Sequence, residues 1–301
     1  MVDYKYRIIF IILHYKTIDD TRKCIESIMS LDDSNRDAVV LVDNSVKLSD
    51  TGKRLKEKYS FLPRFFYVEN NENSSFSYGN NLGYQFVKTL GGGQFVVVTN
   101  SDTYFPQKNF YQKLVRAWKK EKFYVCGPNI IDPFYRIGTS PIAYSCLTVE
   151  EAEKDIQYYQ NECKRILDGT YIEYPVKQYR FMKLLNPVKS IFQELVKKIR
   201  ISSINHYPVL NGACLIFSHL FLQENDRVFY PETELYGEEQ LLAYNCKKKQ
   251  YKVAYCPDLK VMHVGGASTK GDIVDIEERT LKSYERIIKS RKIYMNYIRN
   301  D

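Results

Sequence analysis

Residues 94–102 read QFVVVTNSD, and the polar end of that stretch runs on through TYF to residue 105. Val96, Val97 and Val98 carry the β-branched signature of a buried strand, with Thr99 as its last β-branched residue. Asn100, Ser101 and Asp102 follow at once, so a strand built for burial delivers a carboxylate to its C-terminal edge. Ordinary turn chemistry explains Asn, Ser and Asp in any loop. The other explanation is that Asp102 holds Mg2+ or Mn2+, hard cations that prefer oxygen ligands and bridge readily to a diphosphate. The tripeptide alone does not separate the two.

The neighbouring sequence repeats the pattern. A first strand spans 7–15, and the helix after it has Thr17 as its expected cap. Asp19 and Asp20 lie in its first turn, and Ile18, Ile25 and Ile28 form an apolar stripe. AVVLVDNS (38–45) is a second strand that ends in an acid, Asp43, and RFFYVEN (64–70) is a third. A polar, Gly-containing stretch then runs into a helix. Residues 107–119 read as helical and FYVCGP as a further strand. This alternation predicts an α/β fold with a mostly parallel, doubly wound sheet. In such sheets ligands bind beyond the C-terminal strand ends. Asp43, Asp102 and an expected loop carrying Asn80 and Asn81 all fall there, which is more than loop composition supplies.

The 301 residues are 44% hydrophobic and 14% aromatic, without internal repeats or low-complexity tracts, which suits one large or two smaller α/β domains. Seven cysteines without CxxC or Cys/His spacing point to a reducing compartment rather than a disulfide framework. The apolar run Ile8 to Leu13 is far shorter than the ~20 residues needed to span a bilayer and has no small-residue cleavage site. It reads as a buried strand of a cytoplasmic protein. The net charge of +8 is concentrated in 177–200 and in the C-terminal stretch LKSYERIIKSRKIYMNYIRN. Basic amphipathic helices suit the anionic inner face of a cell membrane, and solvated helices packed on the domain explain them equally well. Recognisable nucleic-acid modules are absent, so nucleic acid is not an expected partner.

Three further patterns carry chemistry. The acid of VLVDNS can accept hydrogen bonds from a base or ribose, or simply serve a turn. In YGEEQLL, Glu238 and Glu239 open a helix as surface acids or as a general base for an acceptor hydroxyl. In VMHVGGAST, His263 follows an apolar run and precedes two glycines, as a structural histidine or a second metal contact. GGG at 91–93 precedes a strand, so it is a turn and not a phosphate cradle.

In order, ILHYK, VLVDNS, SFSYGNNLGY, VVVTNSD, LNGACLIF, YGEEQLL and CPDLKVMHVGGAST resemble the family 2 glycosyltransferases of the GT-A fold. The closest likeness is to rhamnosyltransferase-like enzymes of bacterial capsule and O-antigen polysaccharide biosynthesis. The resemblance covers about residues 6–130 and 207–295. It implies a GT-A, Rossmann-like sheet with an added helical segment and a C-terminal helix. The implied division is a nucleotide-sugar-binding half (1–130), a helical, membrane-proximal insertion (140–205), an acceptor and catalytic half (206–270) and a basic C-terminal helix (271–301). It also implies roles: Tyr15 and Asp43 at the nucleotide base, Asn81 and Ser101 along the nucleotide-sugar pocket, Asp102 as the last acid of a DxD motif, His263 near metal and diphosphate, and Glu239, beside Glu238, as the catalytic base.

Asn100 stands where the first acid of DxD is usual, and Glu239 where an Asp is. Lys16 stands where Asn is frequent, and Leu241 and Asn245 where Asp and Arg are. The QxxRW signature of processive members is absent. The implied reaction is inverting, metal-dependent, non-processive transfer from dTDP-rhamnose or a UDP-hexose to a lipid-linked or polysaccharide acceptor, by a protein that can self-associate. A non-catalytic basic protein that binds membranes or polyanions on a degenerate transferase fold is the alternative.

Overall fold

β1 (Ile8–His14) and β2 (Ala38–Asp43) are buried along their whole lengths because both faces of the sheet are covered. Side chains alternate between the two faces. Ile8, Phe10 and Ile12 pack with Cys24, Ile25 and Ile28 of α1 (Ile18–Met29), whereas Ile9, Ile11 and Leu13 pack with Tyr84 and Val87 of α3 (Phe76–Thr89). On the α1 face also packs α2 (Thr51–Tyr59), through Leu55 and Tyr59. With β3 (Phe65–Glu69) and β4 (Phe95–Asn100), the four strands pair in parallel in the order β3-β2-β1-β4. This computed structural model describes residues 4–71, 75–134, 136–171, 207–265 and 275–301.

The second half of the chain extends the same sheet but mixes strand directions. Its elements are β5 (Thr103–Tyr104), α4 (Phe110–Glu121), β6 (Val125–Ile131), α5 (Val149–Leu167), β7 (Cys214–Ser218), α6 (His219–Glu224), α7 (Glu238–Lys248), β8 (Val253–His263) and α8 (Ile276–Arg299). β7 is antiparallel to both β4 and β6, β8 is parallel to β6 across an irregularity at Pro128 and Asn129, and β5 is antiparallel to β8. The eight strands form one sheet in the order β3-β2-β1-β4-β7-β6-β8-β5. The start of β7, the ends of β6 and β8 and the C-terminal ends of the parallel strands therefore share one edge.

Several local expectations change. The strand expected from residue 207 begins only at Cys214, and before it Val209 makes an isolated bridge to Ala143. Thr17 occupies the N-cap of α1 without a capping side-chain bond. Its hydroxyl instead lies 3.4 Å from Ser101 Oγ. Asn80 and Asn81 lie inside α3 rather than in a loop, because Ser75 caps that helix by accepting from the Tyr78 amide. Gly91 and Gly92, both at positive φ, make the turn before β4. All seven cysteines are free.

Of the expected insertion at 140–205, the described part contains α5, which opens with a reciprocal capping box between Thr148 and Glu151. The basic stretch 177–200 lies outside the described residues. The C-terminal helix is a packing element: Tyr294 and Met295 are buried against Ala152 of α5 and Leu241 of α7. Several of its basic residues pair with acids of the fold, Lys289 with Glu234, Arg291 with Asp155 and Arg299 with Glu153. Among the described residues no helix is long and apolar enough to cross a membrane.

Candidate active site

Four segments deliver polar groups to the shared sheet edge. At the end of β2, Asp43 is fully buried. One carboxylate oxygen accepts from the Ser45 amide (2.9 Å) and hydroxyl (2.8 Å), and the other accepts from the Tyr67 hydroxyl (2.7 Å). These three bonds and the lack of solvent exposure make Asp43 an anchor for the Ser45 and Tyr67 side chains at the strand end. Helix α2 passes so close that a Cβ at Gly52 would lie 1.9 Å from Asp43 Oδ2, which requires glycine there.

His14 ends β1 in register with Asp43. Its ring nitrogens lie 2.7 Å from Thr21 Oγ1 and 2.9 Å from Thr51 Oγ1. Burial pushes the imidazole down to about 4 against the opposing pull of Asp43, so it is neutral at physiological pH. Tyr15 follows, half-buried, with the Lys16 ammonium 5.1 Å from its ring centre. Lys16 adopts φ 60°, a left-handed conformation that Asn accepts more readily.

Asn100, Ser101 and Asp102 form the turn between β4 and β5. Hydroxyls brace it: Thr99 Oγ1 and Thr103 Oγ1 lie 2.6 Å apart, and Thr103 donates to the Asn100 carbonyl at 2.8 Å. Because β5 pairs with β8, Thr103 stands opposite His263. That pairing brings His263 Nε2 to 3.1 Å from Asp102 Oδ1, although 160 residues separate the two in sequence. Asp102 is 8% exposed and the His263 side chain 21%, so the pair is mostly buried with the imidazole as its more exposed member.

The two glutamates at the start of α7 differ in surroundings. Glu238 is buried and its Oε2 accepts from the Gly237 amide at 2.9 Å, so it ties down the helix start. Glu239 is partly buried, and its Oε1 accepts from the Gly212 amide at 3.3 Å. Gly212 directly precedes Ala213, whose carbonyl accepts from the Asn100 amide at 3.0 Å. Glu239 and the Asn100–Asp102 turn are thus joined through the LNGAC segment. Apolar side chains, among them Leu210, Leu242 and Cys246, line a small cavity beside Glu239. Burial pushes its carboxyl up to about 8, with the charge of Glu238 adding and the Gly212 amide opposing. Burial raises Glu238 as well, against the backbone amides that bind it.

Asn81 serves the framework. Its amide donates to the Phe229 carbonyl (2.9 Å) and accepts from the Val228 and Phe229 amides (3.0 Å each). Three of its four hydrogen-bonding positions are therefore taken by the segment leading to α7. Ser77 continues the stitching with a 2.7 Å contact to Thr233.

The edge thus gathers Tyr15, Asp43, Ser101, Asp102, His263, Glu238 and Glu239. Sequence reasoning did not single out His14, Tyr67, Gly52 or Gly212, which hold these groups. LNGAC was visible as a motif, but nothing in it shows that the Gly212 amide meets Glu239. A separate cavity of about 150 Å³, lined by Phe221, Arg227, Tyr230, Asn245, Lys249 and Tyr251, lies at the opposite end of α7.

Solved structures share this architecture. The S. aureus TarS 1–349 structure in complex with UDP-GlcNAc is 15% identical, with a TM-score of 0.53, over 95% of this chain and 66% of that one. The full TarS structure is 14% identical, TM-score 0.52, over 85% of this chain but 36% of that one. The mannosyltransferase PcManGT from Pyrobaculum calidifontis, in complex with GDP-Man and Mn2+, is 12% identical, TM-score 0.50, over 96% and 74%. At such identities the likeness is one of fold. No curated protein matches the sequence. Glycosyl transferase family 2 matches residues 9–185, more than half of the chain, from β1 through β4 and its NSD turn to beyond α5. With strand-end acids on the sheet expected of such enzymes, the chain belongs to glycosyl transferase family 2 and is a glycosyltransferase.

Proposed function

We propose that this enzyme moves one sugar, with inversion and without processive extension, from a nucleotide-diphosphate sugar to the hydroxyl of a lipid-linked or growing polysaccharide acceptor. The observation that carries this reading is the meeting of Asp43, the Asp102–His263 pair and the proton-holding Glu239 at one sheet edge. Solved relatives of this fold hold UDP-GlcNAc and GDP-Man, which supports a nucleotide-sugar donor. dTDP-rhamnose and UDP-hexoses are the donors proposed here, in capsule or O-antigen assembly.

Asp102 and His263 would hold the divalent cation. Among the described residues no group of three or more His, Cys, Asp or Glu clusters, and those residues offer one carboxylate and one imidazole here. That donor set fits Mg2+ or Mn2+ completed by water and diphosphate oxygens, and the bound ion would neutralise charge on the leaving diphosphate. Asp43 would shape the base and ribose end of the site through the Ser45 and Tyr67 groups it holds, Tyr15 flanks it, and Ser101 lines the path towards Asp102. Glu238 fixes the start of α7, and Glu239 takes the acceptor's proton at a carboxylate oxygen while the acceptor attacks the sugar from the face opposite the leaving group. The raised proton affinity of Glu239 suits a general base working near neutral pH.

A calorimetric titration with UDP, dTDP and GDP, each with and without Mn2+, tests the donor half. One nucleotide binds, and Mn2+ tightens it at least about tenfold, equivalent to ~1.4 kcal/mol. If none of the three binds with Mn2+ present, the donor assignment fails and a basic binding protein on a degenerate fold becomes the better account.

A further inference from the structure

We infer that Arg291, on the C-terminal helix, is a positioning residue for Glu239: its guanidinium holds the Tyr236 carbonyl just ahead of the two glutamates and sets the charge beside them. This rests on the reading of Glu239 as the base.

The corner at 234–237 is unusual in its backbone. Tyr236 sits at φ 71°, a left-handed conformation uncommon outside glycine and asparagine, and the next residue is the N-cap of α7. Such a corner persists when its surroundings over-determine it. Here α8 supplies the restraint. Ser290 Oγ donates to the Leu235 carbonyl (2.8 Å), Arg291 Nη1 donates to the Tyr236 carbonyl (3.2 Å), and Lys289 pairs with Glu234. A Cβ at Gly237 would lie 2.7 Å from Ser290 Cβ, so the corner seats directly on α8. From the other side, the Phe76 amide donates to the Glu234 carbonyl at 3.1 Å.

Arg291 stands apart from the other contacts. Its Nε donates to Asp155 Oδ2 of α5 at 3.0 Å while Nη1 reaches the corner, and its side chain is only 14% exposed. The planar fork therefore fixes the angle between α5, α8 and the start of α7, which an ammonium would not do. The guanidinium also favours the ionised form of both glutamates. The groups facing Glu239 are Glu238 on its own helix, the Gly212 amide before β7, and Arg291 from α8, itself partnered by Asp155 of α5. Arg291 is the cation in that set, so it opposes the burial and mutual repulsion that keep the carboxyls protonated.

The test uses the full chain with 13C-labelled glutamate carboxyls, the Glu239 signal being assigned by its loss in Glu239→Gln. In Arg291→Met the Glu239 midpoint moves to higher pH, and kcat for nucleotide release from the donor falls about 10- to 100-fold at neutral pH, the scale of a misplaced catalytic group. Donor KM stays within about threefold, because Arg291 does not touch the nucleotide end of the site. Arg291→Lys keeps the midpoint and recovers part of kcat. It also carries the test if the Met variant fails to fold. Arg299→Ala breaks the Arg299–Glu153 pair at the same α5–α8 interface and leaves both readouts unchanged. An unmoved midpoint in Arg291→Met, or an equal loss of kcat in Arg299→Ala, overturns the proposal. If Glu239→Gln itself leaves the rate intact, the base assignment fails instead.

Discussion

Glu239→Gln lowers the transfer rate by about 10²–10⁴-fold, the usual contribution of a general base, while the protein stays at least as stable as wild type. The amide keeps the size of the side chain and an oxygen for the Gly212 N–H, but it cannot take a proton. The pH dependence follows from the same environment. A base acts when deprotonated, so wild-type kcat/KM rises with pH through about 8 and falls away on the acid side. Stability runs the other way. The folded protein holds the Glu239 proton more tightly than the unfolded chain, whose glutamate titrates at its ordinary 4.5. That stabilisation is fully present below 4.5 and is lost as pH rises through about 8. Glutamine escapes the loss, so its melting temperature gains on wild type most clearly above pH 8. Rate profiles and thermal melts at pH 6 and pH 9 read both effects. A rate loss under about tenfold, or an acid limb that falls at the ordinary carboxylate range, would remove Glu239 from the chemistry.

Asp102→Ala abolishes Mn2+-dependent tightening of nucleotide and lowers turnover by at least about 10²-fold, because charge neutralisation at a leaving phosphate is worth several kcal/mol. In the proposed donor set Asp102 supplies the carboxylate, and its removal would leave His263 as the remaining donor among the described residues. Metal-independent affinity for the nucleoside end persists, since Asp43 and Tyr15 sit on β2 and after β1 rather than in the NSD turn. Titration of the variant with the nucleotide chosen by the wild-type panel, with and without Mn2+, separates the two contributions. An unchanged metal effect in Asp102→Ala would place the ion elsewhere. The Thr99 and Thr103 hydroxyls that brace the turn stay in place in this variant.

Much of this architecture was legible locally. The runs around Ile8, Val40 and Val97 are unbroken series of apolar residues, mostly β-branched, which fits strands covered on both faces, and all three are buried β-strands. The acids at the ends of β2 and after β4 marked the expected ligand edge, because parallel strands in a wound sheet all end on one side. The C-terminal helix matched its apolar spacing from Ile276 to Arg299, but the role of its charges was not readable from composition. Lys289, Arg291 and Arg299 meet acids contributed by distant segments, so part of a face that reads as basic in one dimension is paired in three.

Asn81 shows the same boundary from another side. The family resemblance implied a pocket-lining loop Asn, whereas Ser75 caps the helix early, and within α3 the Asn81 amide bonds to Val228 and Phe229.

From the sequence alone come the α/β alternation, the four parallel strands and the identities of the strand-end acids, because strand formation and side-chain alternation depend on neighbours a few residues away. Tertiary structure decides the rest. The antiparallel entry of β7 brings Gly212 to Glu239, and the two-residue pairing of β5 with β8 sets His263 against Asp102. Burial then raises the Glu239 carboxyl to about 8, a property of what surrounds the side chain rather than of the residue itself.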